Sequence, residues 1–259
     1  MSGEGVAPAI RPRTAAALLV GNELLTGKIG DQNLAVLARA LRARGVSLER
    51  AVVVRDEIDV IAREVRALST THDWVFTSGG VGPTHDDVTI DAVAAAFEVP
   101  VETSPRMTEL LRGYYKEKLT DDHLLMARVP RGARLVATEK VPWPTVVMHN
   151  VWVLPGVPWI FAMKLQALDA EIEAETPFVS LAATSRLEEA LLKPYIDRIV
   201  QRFPAIDVGS YPRWDEGECK TRVTFDGREP EAVRAARDAF AESLPPAALL
   251  AVEGPLTTT

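Results

Sequence analysis

The chain has 259 residues, 47% of them hydrophobic and 25% charged, which is the composition of a globular protein with enough apolar material for a core. Its formal net charge of -7 argues against free nucleic acid or an anionic membrane as a main partner. The single cysteine, Cys219, excludes an internal disulfide framework, and no apolar run approaches the ~20 residues of a membrane span, so we expect a cytoplasmic protein.

Strands and helices are predicted to alternate through the first half of the chain. Residues 1–13 contain Gly, Pro and Arg and lack the apolar core of a signal peptide, so they are predicted to form a flexible leader. Three apolar runs then predict buried strands, and segments with apolar residues at helical spacing follow them. The predicted strands are residues 14–20, 51–54 and 74–77, and the predicted helices are residues 34–41, 58–68 and 89–97. This repetition predicts a parallel sheet covered on both faces, with ligands bound beyond the carboxyl ends of its strands.

The second half of the chain predicts the rest of this domain and a smaller one after it. A charged helical region, a hairpin and a helix are predicted at residues 104–127, 146–154 and 159–173. The strands predicted beyond them are residues 179–183, 206–209 and 221–225, and the helices are residues 187–192, 194–203 and 231–243. Pro194 is expected to begin a new helix or to kink one. We therefore predict a three-layer α/β domain at residues 14–176, an open and mostly parallel sheet with helices on both faces, and a smaller α+β domain at residues 177–259.

The sequence TSGGVGPTHDDVTID, which starts at Thr77, indicates a phosphate site. Three glycines within four residues follow a predicted strand, and glycine lets the backbone turn sharply and come close to a ligand. The helix that follows offers unpaired N–H groups and the positive end of its dipole. Asp86 and Asp87 stand where this helix starts, so they could cap it, hold a divalent metal or act as a general base. A tight turn with a helix cap is the purely structural alternative.

A second glycine-containing sequence, GNELLTGKIGDQN, starts at Gly21 and also follows a predicted strand, so it should lie beside the first. It fails as a Walker A loop because five residues separate Gly21 from Gly27 and Ile29 stands where Ser or Thr must bind magnesium. Glu23 is either a functional carboxylate or a solvated one at a helix start. Asp31 either caps the next helix or contacts a ligand.

A third strand-to-helix turn is Leu154-Pro155-Gly156-Val157-Pro158, which is either a rigid turn or a ligand contact.

The four histidines lack metal-ligand spacing, and no Gly-x-Ser-x-Gly sequence supplies a hydrolase nucleophile. Cys219 has no evident base partner, which favours an ordinary thiol.

These motifs resemble the molybdopterin-binding-like family that includes MoaB, MogA, the gephyrin domains and the N-terminal region of CinA. The similarity is greatest to CinA and to the molybdopterin-binding-like region of FAD synthases. Residues 208–212 resemble part of the second, smaller domain of those proteins. The order and spacing of four segments carry the resemblance: Gly21-Asn22-Glu23-Leu24-Leu25, residues 77–84, Asp86-Asp87-Val88-Thr89 and residues 154–158.

The resemblance implies an open parallel sheet, often in a homo-oligomer, and offers two activities. One is molybdopterin binding and adenylylation with MgATP. The other is metal-dependent cleavage of a nucleotide pyrophosphate such as ADP-ribose, or FAD in the FAD synthase relatives. The chain departs from many relatives by carrying Asn22 in place of Asp, and Asp121-Asp122-His123 and Pro142-Trp143-Pro144 in its middle segment.

We therefore expect a small-molecule partner of nucleotide or pterin type, and neither nucleic acid nor a membrane. Asp87 and Asp86 are the candidate catalytic residues, and Asp87, Asp86 and Glu23 are the candidate ligands of Mg, Mn or Co. The candidate substrate-binding residues are Gly21, Asn22, Glu23, Thr77, Ser78, Gly79, Gly80, Val81, Gly82, Pro83, Thr84, Thr89 and Gly156. The leading hypothesis is pyrophosphate hydrolysis, and the alternatives are molybdopterin chemistry and a non-enzymatic regulatory module.

Overall fold

A computed structural model describes residues 13–172, 176–214 and 217–254. The chain divides into two compact units, Met1–Glu175 and Thr176–Thr259, and each is described here by itself. The predicted leader falls almost wholly outside the described residues. Within those residues, no helix is both long enough and apolar enough to cross a membrane.

The first unit is built on a six-stranded sheet with the order β2-β1-β3-β8-β7-β6. Its strands, with the separate antiparallel pair β4 and β5, are β1 (Thr14–Val20), β2 (Ser47–Val54), β3 (Trp74–Ser78), β4 (Val101–Thr103), β5 (Arg128–Pro130), β6 (Arg134–Val136), β7 (Thr145–Met148) and β8 (Val151–Leu154). The four strands β2, β1, β3 and β8 run parallel, and β7 and β6 extend the sheet antiparallel. β1 is buried along its whole length, as its continuous apolar sequence predicts.

Helices cover both faces of this sheet. The helices are α1 (Asn22–Leu25), α2 (Asn33–Arg42), α3 (Ile58–Thr71), α4 (Thr89–Ala96), α5 (Pro105–Tyr115), α6 (Asp121–Leu125) and α7 (Pro158–Lys164). Leu37 of α2 and Phe161 of α7 pack in one core, while Ile61 of α3 and Val93 of α4 pack in the other. Alternate residues of β1 enter the two cores, because side chains alternate along a strand. The predicted three-layer, mostly parallel α/β fold is confirmed.

The region predicted as helical at residues 104–127 is two helices, α5 and α6, with a 3-10 turn at Lys116–Lys118 between them. Each helix has its own cap, since Ser104 accepts from the N–H of Met107 and Thr120 accepts from the N–H of His123. The helix predicted at residues 159–173 is α7 followed by a 3-10 segment, Leu165–Ala170.

The second unit has a four-stranded antiparallel sheet, ordered β10-β11-β9-β12, and two helices. Its elements are β9 (Val179–Ser185), α8 (Glu189–Arg202), β10 (Asp207–Pro212), β11 (Thr221–Gly227), α9 (Pro230–Ser243) and β12 (Leu249–Glu253). Phe225 and Phe240 meet in its core with ring centroids 5.4 Å apart. Pro194 lies inside α8, so the two helices predicted around it are one helix that contains a proline.

Leu41→Ala tests the packing of α2 on the sheet. Leu41 is fully buried, and alanine keeps the helix propensity while leaving a cavity, so we expect the free energy of unfolding of the first unit to fall by about 2–5 kcal/mol. Urea unfolding measures this change. Leu25→Ala, at a side chain that is 53% exposed, is the control and should change stability by less than about 1 kcal/mol. Equal effects of the two substitutions would contradict the packing described here.

Candidate functional site

The carboxyl ends of the four parallel strands meet at one edge of the first unit's sheet. Val20 at the end of β1 lies opposite Val54 at the end of β2, and Ser78 at the end of β3 lies opposite Leu154 of β8. The loops after these strands line a pocket of about 450 Å3. The glycine-containing segments therefore lie side by side at this edge, as expected for a parallel sheet.

The glycine turn after β3 is held from three sides. Gly79 has φ 106° and Gly80 has φ 66°, values that favour glycine over every other residue. The N–H of Gly79 donates to the carbonyl oxygen of Leu154 (3.1 Å), and Thr89 donates from its hydroxyl to Gly79 O (2.8 Å) and from its N–H to Gly80 O (3.0 Å). A side chain on Gly79 would collide with the carbonyl oxygen of Val20. The turn is therefore locked against β1, β8 and α4.

This locking divides the predicted phosphate-binding residues into two groups. Thr77 and Thr89 are fully buried and support the turn through hydrogen bonds: Thr89 donates to Gly79 O, and Thr77 accepts from the N–H of Leu154. In the described parts of the chain, the N–H groups of Gly80, Val81 and Gly82 have no hydrogen-bond acceptor. These N–H groups are the ones available to a phosphate group.

Most of the other predicted residues line the pocket or a cavity next to it. The pocket is lined by Glu23, Ser78, Gly79, Gly80, Val81, Asp86, Asp87 and Gly156. Gly82, Pro83 and Thr84 line the neighbouring cavity. Among the residues described as lining either space, Gly21 and Asn22 do not occur. Gly21 is buried and donates to Val54 O, and the N–H of Asn22 donates to Asp56 (2.8 Å).

Asp86 and Asp87 are held together by Thr84. The Thr84 hydroxyl lies 2.6 Å from an Asp86 oxygen and 2.5 Å from an Asp87 oxygen, and its N–H donates to Asp87 (2.8 Å). This hydroxyl contact and a backbone hydrogen bond lower the pKa of the exposed Asp86 carboxyl. The N-cap of α4 is Val88, and no side chain caps that helix. The side chains of these aspartates therefore do not cap α4 and instead close the tight turn that precedes it.

The pocket has a strongly acidic lining. Five carboxylates line it, and no Lys, Arg or His side chain is among the described residues that do so: the acidic residues are Glu23, Asp31, Asp56, Asp86 and Asp87. Asp31 accepts from the N–H of Leu34 (2.8 Å), so it caps α2 as the sequence allowed. Phosphate oxygens entering such a pocket repel its carboxylates unless a cation lies between them.

The carboxylates of the pocket fit a metal site that a ligand helps to complete, and they do not fit a site formed by protein side chains alone. Within the described ranges, no three His, Cys, Asp or Glu side chains form a cluster that would hold a metal ion by themselves. Mg²⁺ usually keeps several waters and is bound by one or two carboxylates together with substrate phosphates. The paired Asp86 and Asp87, with Glu23 lining the same pocket, fit an ion that is shared with a phosphate ligand.

Asn33 is a site residue that the sequence did not identify. Its side chain is 3% exposed, and its amide nitrogen donates to Ser78 Oγ and to Gly156 O, both at 2.8 Å. The amide oxygen of Asn33 is buried without a hydrogen-bond partner among the described residues. Because Ser78 Oγ accepts from Asn33, its own hydrogen is free to turn toward a ligand. Asn33 was hidden by its position at the start of α2, where asparagine is an ordinary residue.

A second cavity of about 500 Å3 adjoins the acidic pocket, and Val81, Asp87 and Pro155 border both. Aromatic and aliphatic side chains form most of its wall. Lys164 also lines it, 6% exposed, and its Nζ lies 2.7–3.3 Å from the carbonyl oxygens of Trp143 and Pro144 and from a threonine hydroxyl. Burial lowers the pKa of Lys164 from 10.5 to about 8.

Comparison with known proteins gives two family matches, one in each unit. Residues 16–172 match the family described as a probable molybdopterin binding domain. Residues 177–253 match the middle domain of FAD synthase. The second unit is thus similar to a domain that stands beside the first one in other proteins.

Individual relatives agree with these matches. A protein of Archaeoglobus fulgidus is 30% identical, and the match covers 87% of this chain and 95% of the relative. A probable FAD synthase of Caenorhabditis briggsae is also 30% identical over 90% of this chain, which spans about half of that enzyme's length. The crystal structure of CinA from Thermoplasma acidophilum, a protein of unknown function, superposes with a TM-score of 0.57 at 29% identity, covering 62% of this chain and 98% of that one.

Gly79→Ala tests the close approach of the turn to β1. Gly27 also has a positive φ, of 71°, but a side chain there would have open space around it. We expect Gly27→Ala to lower the free energy of unfolding by about 1 kcal/mol through backbone strain alone. Gly79→Ala should lower it by roughly 3 kcal/mol or more, because overlap with Val20 adds to the strain. Urea unfolding compares the two variants, and equal losses would contradict the close approach.

Lys164→Met tests the burial of the ammonium group. The folded chain loses this proton near pH 8 and the unfolded chain near pH 10.5. The buried ammonium group therefore destabilises the folded state fully at pH values well below 8, and this destabilisation is relieved as the pH rises from about 8 to 10.5. The stability of the wild type relative to the variant should therefore increase by about 3 kcal/mol between pH 7.5 and pH 10.5. Unfolding curves of both proteins across this range measure it. A difference that does not change with pH would contradict the lowered pKa.

Proposed function

The chain belongs to the molybdopterin-binding domain family, and from this premise we propose that it hydrolyses the pyrophosphate bond of a nucleotide such as ADP-ribose or FAD with the help of a divalent cation. The supporting observation is the composition of the pocket, in which a phosphate-type glycine turn faces carboxylates without a basic side chain among the described lining residues. A pyrophosphate in this pocket requires a cation to screen its charge from the carboxylates.

The reaction adds one water molecule across the bond between two phosphate groups. The water oxygen bonds to one phosphorus as the bridging P–O bond breaks, and the bridging oxygen leaves with the other phosphate. ADP-ribose then yields AMP and ribose 5-phosphate, and FAD yields AMP and FMN. Charge on the phosphate oxygens grows as the bond breaks, so groups that stabilise this charge accelerate the reaction.

The chain's own residues would share the work as follows. The N–H groups of Gly80, Val81 and Gly82 would bind phosphate oxygens from a turn that is rigid before the ligand arrives. Asp86 and Asp87, with Glu23, would hold Mg, Mn or Co, which when bound supplies Lewis-acid polarisation of the phosphate and lowers the pKa of water. Thr84 orients both aspartates through its hydroxyl and its N–H.

Molybdopterin binding with adenylylation is the second candidate, because the matched family is described by molybdopterin binding. It would use the same glycine turn for phosphate. It predicts pterin that co-purifies with the protein and consumption of ATP that depends on molybdopterin. Hydrolysis of a dinucleotide without any pterin would favour the first candidate.

Asp87→Asn tests the hydrolysis. Wild-type protein is incubated with ADP-ribose and with FAD in the presence of magnesium, manganese or cobalt, or with a chelator, and AMP is quantified. We expect AMP only with a metal ion, and we expect Asp87→Asn to lower kcat by about 100-fold or more because the substitution removes a charge that acts on the transition state.

Asp59→Asn is the matched control, since Asp59 is an exposed carboxylate in the first turn of α3. It should retain wild-type activity. The proposal is refuted if no metal gives product or if Asp87→Asn is fully active. Binding of a nucleotide without turnover would instead support the non-enzymatic module.

A further inference from the structure

Asn33 at the start of α2 joins two of the turns that line the acidic pocket. Its amide nitrogen donates to Ser78 Oγ, at the end of β3, and to Gly156 O, in the turn after β8, both at 2.8 Å. These two turns also lie against each other, since a side chain on Gly156 would come within 3.3 Å of the Cα of Gly79. Asn33, Ser78 and Gly156 all line the pocket, so this junction is part of its wall.

The orientation of the Asn33 amide is fixed by Gly156. A carbonyl oxygen only accepts hydrogen bonds, so the amide must present its nitrogen to Gly156 O, because the reverse orientation would place two acceptor oxygens against each other. Gly156 then takes one N–H of the amide and Ser78 takes the other. Ser78 Oγ is therefore the acceptor in its contact with Asn33.

This assignment limits where the hydrogen of the Ser78 hydroxyl can point. It cannot point at the Asn33 nitrogen, which already supplies a hydrogen to that contact. Among the described residues, the Ser78 hydroxyl donates to no acceptor. Ser78 is 5% exposed and lines the pocket, so its hydrogen is left for an acceptor that enters the pocket.

The unpaired oxygen of Asn33 shows that the amide nitrogen is the useful part of this side chain. Asn33 is 3% exposed, and its Oδ1 has no hydrogen-bond partner among the described residues. Burial of an unpaired carbonyl oxygen costs free energy that a small apolar residue at this position would avoid. The two donated hydrogen bonds are thus what the amide contributes here.

We propose that Asn33 is a positioning residue that makes Ser78 a hydrogen-bond donor to a phosphate group of the ligand. With its acceptor side held by Asn33, the Ser78 hydroxyl adds a fourth donor to the three N–H groups of residues 80–82. A hydroxyl that is oriented beforehand loses less rotational freedom when the phosphate binds. The inference rests on the proposed function only in that the ligand carries phosphate groups.

A double-mutant cycle between Asn33 and Ser78 tests this coupling. The probe is methylenediphosphonate with magnesium, a pyrophosphate analogue whose carbon bridge resists hydrolysis, and isothermal titration calorimetry measures its affinity. We expect Asn33→Ala and Ser78→Ala each to weaken binding about tenfold, because each removes an oriented donor to a charged group. In the Ser78→Ala background, Asn33→Ala should weaken binding by less than about twofold, because the hydrogen that Asn33 directs is already gone. In Ser78→Thr, which keeps a hydroxyl, the effect of Asn33→Ala should return.

Asn150→Ala is the matched control. The amide nitrogen of Asn150 likewise donates two hydrogen bonds, to the carbonyl oxygens of Ser69 (3.0 Å) and His72 (2.9 Å), and Asn150 is not among the described residues that line the acidic pocket. Its replacement should leave the affinity for the probe unchanged.

Urea unfolding establishes that each variant is folded, and Asn33→Asp takes the place of Asn33→Ala if the latter is not. A carboxylate of the same shape accepts the Ser78 hydrogen and so removes the donor. Its added charge acts equally with and without the Ser78 hydroxyl, so the cycle still isolates the coupling.

Equal losses on Asn33→Ala with and without the Ser78 hydroxyl overturn the inference, because they indicate a structural role alone. A loss of equal size in Asn150→Ala, or wild-type protein that does not bind the probe, also overturns it. Coupling of the expected size in a protein that hydrolyses no nucleotide supports the positioning role and refutes the proposed hydrolysis. Hydrolysis of ADP-ribose without this coupling supports the proposed function and overturns the inference.

Discussion

The close approach of Gly79 to the carbonyl oxygen of Val20 is the contact on which the site depends. Because no side chain fits between them, the backbone after β3 turns directly over the end of β1, and a side chain on Gly80 would collide in turn with the hydroxyl of Thr89. Thr89 fastens the two glycine carbonyl groups to α4. The N–H groups that follow are thus fixed before any ligand binds, and this rigidity is what electrostatic stabilisation of a transition state requires.

The negative charge of the pocket is the second constraint, because it limits which ligands can enter. Folding brings carboxylates from the loops after β1, β2 and β3 to the same edge of the sheet, and the described lining residues supply no basic side chain to offset them. The Thr84 hydroxyl has one hydrogen for two aspartates, so at least one carboxylate oxygen stays open to another positive partner. This excess of negative charge is the reason that the proposed function includes a divalent cation.

The sequence predicted the sheet and the glycine turn because both depend on local signals. The apolar run of β1 and the three glycines after β3 are each visible within a dozen residues. The three-residue strands β4, β5 and β6 are too short to show a periodic pattern. Pro194 was compatible with the start of a new helix or with a kink inside one, and the structure has one helix that contains it. The bridging role of Asn33 and the aromatic cavity escaped prediction because their partners are far apart in the chain. The homo-oligomer and the cytoplasmic location stay predictions.

The wall of the aromatic cavity comes mainly from α5, α6, residues 142–146 and α7, whereas the phosphate pocket comes from the loops of the parallel strands. The two spaces thus draw their walls mostly from different stretches of the same unit. Substitutions in α5, α6, residues 142–146 and α7 would change the wall of the cavity while the glycine turn and its aspartates stay in place. Under the proposed hydrolysis, the group attached to the phosphates and the bond that is cut would meet different side chains, so a change in one set would leave the other in place.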